Sequence, residues 1–263
     1  MDLGLKDQVA VVTGGSSGIG LATVRALLAE GCNVALCART AETLDTVGAD
    51  LAAEFGADRV LTQALSVLDP DALAAFADAV QSRFGAANVL INNAGQGRVS
   101  TFATTTDEDW RQELDLKFFS QIYPVRAFQD QLKSSGTGAI IGVNSLLAYQ
   151  PEPHMVCTSA ARAGVQNLLK SLANELAPSI RVNSILLGVV ISGQWERRFH
   201  ARADQTQSRD DWYADQAAQK HIPLGRFGTP QEAAKAITFL ASPAASYITG
   251  ARLELSGGTS RFV

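Results

Sequence analysis

Short apolar runs alternate along this chain with longer stretches in which apolar residues recur every three to four positions. The runs over 8–13, 33–38, 59–65, 88–91, 138–143 and 180–185 predict strands buried on both faces of a parallel sheet. The stretches over 21–30, 41–55, 111–128 and 158–176 predict helices, and a last strand is predicted over 252–255. Regular alternation of strands and helices predicts an α/β fold with a doubly wound parallel sheet of about seven strands and helices on both faces.

Size and composition narrow the class of protein. A chain of 263 residues suits one α/β domain over 1–263, and 46% hydrophobic against 18% charged residues predicts a globular chain. A net charge of −4 without a long basic run argues against nucleic acid as a partner. No stretch reaches the roughly 18 apolar residues of a membrane span, and the first residues lack an apolar signal core. We therefore expect a cytoplasmic protein with no membrane partner.

The three cysteines, Cys32, Cys37 and Cys157, are an odd number and show no CxxC spacing. This pattern predicts reduced thiols rather than a disulfide framework or a metal site. We expect no metal.

A glycine-rich turn follows the first predicted strand and precedes the first helix. Such a turn aims backbone N–H groups and a helix N-terminus at a pyrophosphate, and its glycines let the backbone approach the phosphates. The sequence therefore predicts a dinucleotide site on the turn, at residues Gly14, Ser16, Ser17, Gly18, Ile19 and Gly20.

The end of the second strand indicates which dinucleotide binds. An acidic side chain there would accept hydrogen bonds from the ribose 2′-hydroxyl of NAD(H), but Ala38 and Arg39 stand at this point. An arginine fork suits a 2′-phosphate. We therefore predict NADP(H) in preference to NAD(H); the alternative is that Arg39 is only a solvated loop charge.

Three motifs resemble the classical short-chain dehydrogenase/reductase family. They are the G-x-x-x-G-x-G turn preceded by Thr13, the Asn-Asn-Ala-Gly tetrapeptide at 92–95, and the nearly verbatim stretches over 222–233 and 239–250. The resemblance spans about residues 5–258 and implies a Rossmann-like fold and hydride transfer between a nicotinamide and a small carbonyl or alcohol substrate. It also implies cofactor contacts beyond the turn, at Asn93, Ala94, Gly95, Gly188, Val190 and Ser192.

The chain departs from this family in its catalytic residues. The family places a Tyr thirteen positions after a Ser and a Lys four further on; here Ser145 is followed by Thr158 and Arg162. Lys117, seven residues after Trp110, occupies the position of the family's Asn. Positions 158 and 162 share a helix face, so the family's Lys can lower the pKa of its Tyr and hold the nicotinamide ribose. Arg162 could still hold the ribose. The aliphatic hydroxyl of Thr158 does not ionise near neutral pH, but it could still donate a hydrogen bond or relay a proton.

Three residues are candidates for the missing proton donor. Lys117 is a candidate cationic acid, with a pKa lowered by burial and by Arg162. Tyr149 and His154 lie on a segment that lines the substrate pocket in the family, and the alternative is that they only shape it. Either the chain is an oxidoreductase with a non-standard proton donor, or it is an NADP(H)-binding pseudoenzyme that acts as a binding or partner subunit.

The resemblance also implies a substrate lid and an oligomeric assembly. The polar region at about 192–222 corresponds to the family's substrate lid, and its first half is basic. A solvated helix face explains this charge, and the alternative is a docking surface for an anionic substrate. The family further implies a homotetramer or homodimer built on helices at about 107–129 and 158–176 and on the C-terminal region.

Overall fold

Seven parallel strands form one sheet in this computed structural model, which describes residues 2–202 and 204–262. The strand order is β3-β2-β1-β4-β5-β6-β7, and every neighbouring pair is parallel. The predicted number of strands and the predicted sheet type are therefore confirmed. The strands are β1 (Val9–Thr13), β2 (Asn33–Ala38), β3 (Val60–Ala64), β4 (Val89–Asn92), β5 (Gly138–Ser145), β6 (Ile180–Leu187) and β7 (Arg252–Leu255).

Eight α-helices connect or follow these strands within the described residues. None of them is both long and apolar enough to cross a lipid bilayer. The helices are α1 (Gly18–Ala29), α2 (Ala41–Phe55), α3 (Pro70–Phe84), α4 (Asp107–Ser134), α5 (Val156–Glu175), α6 (Gly193–His200), α7 (Arg209–Gln219) and α8 (Pro230–Ala241).

Each face of the sheet carries its own apolar core because successive strand residues point to opposite sides. In β1, Val9 and Val11 pack with buried residues of α3, α4 and α5, including Phe76 and Phe128. Ala10 and Val12 pack with buried residues of α1, α2 and α8, including Leu27. The alternating sides confirm the doubly wound arrangement.

Helix α4 begins where the wider predicted range, 107–129, begins, and it extends five residues beyond the end of that range. Thr106 accepts a hydrogen bond from Asp109 N while the Asp109 carboxylate accepts from Thr106 N, and this capping box starts the helix at Asp107. The helix then runs through the buried Pro124 to Ser134. Because no insertion interrupts it, Lys117 lies two turns after Trp110, on the face that meets α5.

The direction in which successive strands are added to the sheet reverses between β1 and β4. Strands β2 and β3 extend from β1 to one side, and β5, β6 and β7 extend from β4 to the other. A crevice forms at the carboxyl ends of the strands where such a reversal occurs, and ligands of open α/β sheets bind there. The residues that follow β1, β4 and β5 therefore meet at this point.

Candidate active site

The crevice opens into a groove of about 630 Å³ at the carboxyl ends of β1, β2 and β4. A Cβ added to Gly18, whose φ is +54°, would meet no atom within 4 Å, so the backbone of the turn faces open space. Arg39 is the one charged side chain among the described residues that line the groove, and no carboxylate joins it. Open backbone beside an unopposed guanidinium fits a phosphorylated ligand.

Close contacts with Asn93 fix the shape of the glycine-rich turn. The Asn93 amide nitrogen donates to the carbonyl oxygens of Thr13 and Gly14 at 3.1 Å, and its backbone N–H donates to Thr13 Oγ1 at 3.0 Å. A Cβ at Gly20 would lie 2.1 Å from the Gly14 carbonyl oxygen, so only glycine permits this approach. The Asn-Asn-Ala-Gly motif thus ties β4 to the turn.

A second cavity, the inner cavity, continues from the groove and has a volume of about 270 Å³. The two share Ile19, Ser192 and the segment 93–95. All predicted cofactor-contacting residues line the groove or the inner cavity: Gly14, Ser16, Ser17, Gly18, Ile19, Gly20, Arg39, Asn93, Ala94, Gly95, Arg162, Gly188, Val190 and Ser192. Ser145 and Lys117 also line the inner cavity.

A third space, the outer cavity, lies beyond Ser145 and Arg162 and has a volume of about 230 Å³. It shares these two residues and Trp195 with the inner cavity. Its other walls come from the segment after β5, the start of α5, the end of β6, α6 and the residue that follows α7. Ser145 therefore stands where the inner and outer cavities meet.

Lys117 forms a buried ion pair with Glu113, one helical turn earlier on α4. The distance from Lys117 Nζ to Glu113 Oε1 is 2.8 Å, and the two side chains are 6% and 3% exposed. The ammonium also donates to the Gln96 carbonyl oxygen at 2.5 Å. An ammonium has three N–H donors, and the third has no acceptor among the described residues.

The pKa of Lys117 is lowered from its usual 10.5. Burial is the largest cause; the hydrogen bond to Glu113 opposes it, and the charge of Arg162 adds to the decrease. The direction and both predicted causes agree with the expectation from the sequence. Lys117 therefore gives up a proton more readily than a solvated lysine.

The hydroxyl of Thr158 is engaged away from the inner cavity. Thr158 is fully buried, its Oγ1 donates to Glu113 Oε1 at 2.5 Å, and it accepts from the backbone N–H of Arg98 at 3.1 Å. Thr158 contributes to the wall of the outer cavity but not to that of the inner one. One carboxylate oxygen thus binds both Lys117 and Thr158.

Arg162 lies between the two cavities and is held by Asn144. Its Nη1 donates to Asn144 Oδ1 at 3.2 Å, while Asn144 Nδ2 donates to the Arg162 carbonyl oxygen at 3.1 Å. The buried Nε–H has no acceptor among the described residues. Burial lowers the pKa of Arg162 to about 10 and the charge of Glu113 opposes this, so the guanidinium remains protonated at neutral pH. Because Arg162 lines both cavities, its guanidinium is placed to donate to the hydroxyls of a ribose.

Comparison with known proteins identifies the family. Residues 14–260 match the family described as Enoyl-(Acyl carrier protein) reductase. The chain is also 32% identical over 257 residues to the 3-oxoacyl-[acyl-carrier-protein] reductase FabG of Vibrio cholerae, covering 97% of this chain and 98% of that protein. The chain belongs to the short-chain dehydrogenase/reductase family.

Further relatives of this short-chain dehydrogenase/reductase differ in their named activities. A putative ketoacyl reductase of the monensin polyketide synthase from Streptomyces virginiae is 36% identical over 258 residues, covering 97% of this chain and 98% of that protein. A 3alpha-hydroxysteroid dehydrogenase from Mediterraneibacter gnavus is 31% identical over 254 residues, with coverage of 96% and 97%. The family is therefore shown, whereas the substrate differs among its members.

Two solved structures are similar to this dehydrogenase/reductase over nearly their whole length. A short chain oxidoreductase from Pseudomonas aeruginosa, described with bound NADPH and an atypical catalytic center, is 56% identical, covers 99% of both chains and has a TM-score of 0.95. The L-sorbose reductase of Gluconobacter frateurii, in complex with NADPH and L-sorbose, is 32% identical, covers 100% of both chains and has a TM-score of 0.94.

The structure does not bring Tyr149 together with Ser145 and Lys117. The Tyr149 hydroxyl accepts from Arg252 Nη1 at 3.2 Å, and the guanidinium of Arg252 lies 4.7 Å from the centre of its ring. Tyr149 lines a separate cavity beside Lys170 on α5. His154 does line the outer cavity, where its Nε2 lies 3.2 Å from the Glu152 carboxylate.

Two residues of the site were missed in the sequence. Glu113 stands one turn before Lys117 on the same helix face, and this i,i+4 spacing could have indicated their pairing. Asn144 carried no such signal, because its contact with Arg162 joins the end of β5 to α5 across the fold.

Proposed function

We propose that this protein is an NADP(H)-dependent oxidoreductase that transfers hydride between the nicotinamide and a carbonyl or alcohol substrate. The groove supports NADP(H), because Arg39 stands beside the phosphate-binding turn and no carboxylate among the described residues competes for it. The Pseudomonas aeruginosa and Gluconobacter frateurii proteins, both described with NADPH, also support it.

In the reductive direction, NADPH bound in the groove and the inner cavity would supply the hydride that the carbonyl carbon accepts. Ser145, at the meeting point of the inner and outer cavities, donates a hydrogen bond to the carbonyl oxygen and polarises the C=O bond. Arg162, which lines the inner cavity, would hold the ribose hydroxyls of the bound cofactor with its guanidinium. Together these two side chains orient the reacting carbonyl and the sugar.

Lys117 supplies the proton to the developing alkoxide. The observation that carries this role is that its ammonium, with one N–H free of protein acceptors in the described chain, lines the same cavity as Ser145 and Arg162. The N–H bond breaks as the O–H bond of the alcohol forms, and the neutral amine then recovers a proton from water. Glu113 is a positioning residue, since it fixes the ammonium without facing the inner cavity.

The test is NADPH oxidation over a panel of ketones and aldehydes with the wild type, Lys117→Ala and Thr158→Val. We expect Lys117→Ala to lose at least ~100-fold in kcat, the usual size of a general-acid contribution, and to retain NADPH binding. Thr158→Val should lose less than ~10-fold, because its hydroxyl serves Glu113 rather than the substrate. Full turnover in Lys117→Ala would overturn the assignment.

The pH dependence gives a second measurement of the same role. Reduction needs protonated Lys117, so its rate should fall as pH rises through the lowered pKa of this group. Alcohol oxidation needs the neutral amine and should rise over the same interval. If the residual activity of Lys117→Ala showed the same pH profile as the wild type, this assignment would be contradicted.

The alternative function is that of an NADP(H)-binding pseudoenzyme. The specific observation in its favour is that the hydroxyl of Thr158, at the position of the family's Tyr, is bound to Glu113 and to the backbone at Arg98. A Thr158→Tyr/Arg162→Lys double variant separates the two functions. Turnover by this variant and none by the wild type would establish the pseudoenzyme.

We also infer that the protein assembles as a homotetramer or homodimer through α4 and α5. Of the apolar residues on these helices, Phe118 packs within the chain against Gly164, where an added Cβ would lie 2.5 Å from its ring. Leu114 remains 39% exposed and lies on the α4 surface available to a second copy. Light scattering after gel filtration would test this, and a monomer at micromolar concentration would refute it.

A further inference from the structure

Two cationic side chains in the wall of the outer cavity lie against the same aromatic ring. The Arg198 guanidinium lies 4.7 Å from the centre of the Trp195 ring, and Lys220 Nζ lies 5.6 Å from it. All three side chains line the outer cavity, which has Ser145 at its inner end. The indole therefore holds two positive charges in the same space as the residue that polarises the carbonyl.

Neither cation has a carboxylate partner within the described chain. Among the described residues, Glu152 supplies the one carboxylate that lines the outer cavity, and this carboxylate lies 3.2 Å from His154 Nε2. Two other arginines of the lid are engaged differently: Arg209 pairs with Glu196 at 2.5 Å, and Arg202 donates to the Phe199 carbonyl oxygen at 2.5 Å. Arg162, a third cation of the cavity wall, stands at the inner end beside Ser145 and donates to Asn144, so Arg198 and Lys220 are the unpaired cations remote from the reacting carbonyl.

The Trp195 ring, which contacts both cations, belongs to a cluster of packed aromatic side chains. The Trp195 ring packs against that of Phe227, with a centroid distance of 4.8 Å, and against Trp212 at 6.1 Å. Tyr213 packs on Phe227 at 5.2 Å and donates to Glu196 at 2.8 Å. These contacts join α6 to α7 and hold the Trp195 ring, against which Arg198 and Lys220 lie, in place.

We propose that the outer cavity binds carbonyl substrates that carry a carboxylate remote from the reacting carbonyl, and that Arg198 and Lys220 hold this carboxylate. The inference rests on the proposed function for the position of the carbonyl at Ser145. A cavity of about 230 Å³ is smaller than the usual pocket for drug-sized ligands, so the substrate is a small oxo acid. If Arg198 belonged only to a solvated helix face, replacing it would change the preference for acids over esters no more than replacing its neighbour Arg197.

The test compares acids with their neutral esters. NADPH oxidation is measured with 4-oxopentanoate and 6-oxoheptanoate and with the methyl ester of each. In the wild type, kcat/KM for the better acid should exceed that for its ester by at least ~10-fold, the effect of one hydrogen bond to a charged group. Arg198→Gln and Lys220→Gln should each reduce this preference by ~10-fold or more, whereas Arg197→Gln should leave it unchanged. Arg197 is the matched control because it is exposed, lies on the same helix and does not line the outer cavity.

Binding is measured separately from turnover by tryptophan fluorescence, since Trp195 lines the site. The acids should quench emission at lower concentration than their esters, and Arg198→Gln should abolish that difference. Esters that bind or react as well as the acids across the series, or an Arg198→Gln variant that behaves like Arg197→Gln, would overturn the proposal. Acid-selective quenching without turnover would sustain the anion site and count against the proposed reaction, so the two failures are distinguishable.

Discussion

Replacing Glu113 by glutamine tests the buried charge cluster most directly. The substitution keeps the shape of the side chain and removes the charge that pairs with Lys117 at 2.8 Å, where both side chains are almost fully buried. Removing one partner of a buried ion pair costs about 3–5 kcal/mol, because the other charge is left uncompensated. For a chain of this size, 3 kcal/mol corresponds to a decrease in Tm of about 6–12 °C. Arg162, whose charge already lowers the pKa of Lys117, adds to the loss.

The loss of stability in Glu113→Gln should depend on pH. The folded pKa of Lys117 lies below its ordinary 10.5, so the unfolded chain binds more protons between the two values and stability rises with pH there. Without Glu113 the folded pKa falls further and this interval extends to lower pH. The destabilisation is therefore larger near pH ~7 and becomes smaller towards pH ~10, as a growing share of the folded lysine loses its proton.

The assay is urea unfolding at both pH values for the wild type, Glu113→Gln, Lys117→Met and the double variant. The double variant removes both charges and should recover most of the stability lost in Glu113→Gln, since a neutral pair of similar volume leaves no buried charge uncompensated. Asp115→Asn, an exposed acid on the same helix, is the control and should change stability by less than ~0.5 kcal/mol. Glu113→Gln as stable as Asp115→Asn, or a double variant no more stable than Glu113→Gln, would refute the argument.

Two further predictions concern the cofactor and the thiols. Arg39→Ala should raise the KM for NADPH by ~10-fold or more and leave that for NADH nearly unchanged, because only the former has a 2′-phosphate; equal effects in steady-state kinetics would show that Arg39 is a solvated loop charge. Burial raises the pKa of Cys32 and Cys37 to about 12, so these thiols should resist a chromogenic disulfide reagent at pH ~8 until urea unfolds the chain; rapid labelling of the native protein would contradict their burial.

The elements that could be predicted from the sequence are those set by local signals. Strands β2 and β7 and helix α2 have the predicted bounds, because each is an apolar or periodic run between turn residues. The glycine-rich turn could also be recognised, since its backbone must approach both a ligand and Asn93. The start of α4 at residue 107 is also a local signal, because the capping box of Thr106 and Asp109 lies beside it, whereas the end of the helix at Ser134 lies beyond the predicted range.

The replacement of the family's Tyr and Lys by Thr158 and Arg162 was also visible in the sequence alone, because it is a matter of identity at fixed spacing. The orientation of the Thr158 hydroxyl was not, since its acceptor Glu113 is on another helix, 45 positions away. Likewise, Tyr149 contacts Arg252, which is 103 positions away in the chain. It therefore does not line the substrate pocket, as the family resemblance implied it would. Local pattern determined the elements and the cofactor groove. Packing of α4 against α5 decided which buried groups pair, and the positions of α6 and α7 decided which side chains line the outer cavity, because those contacts join residues far apart in the chain.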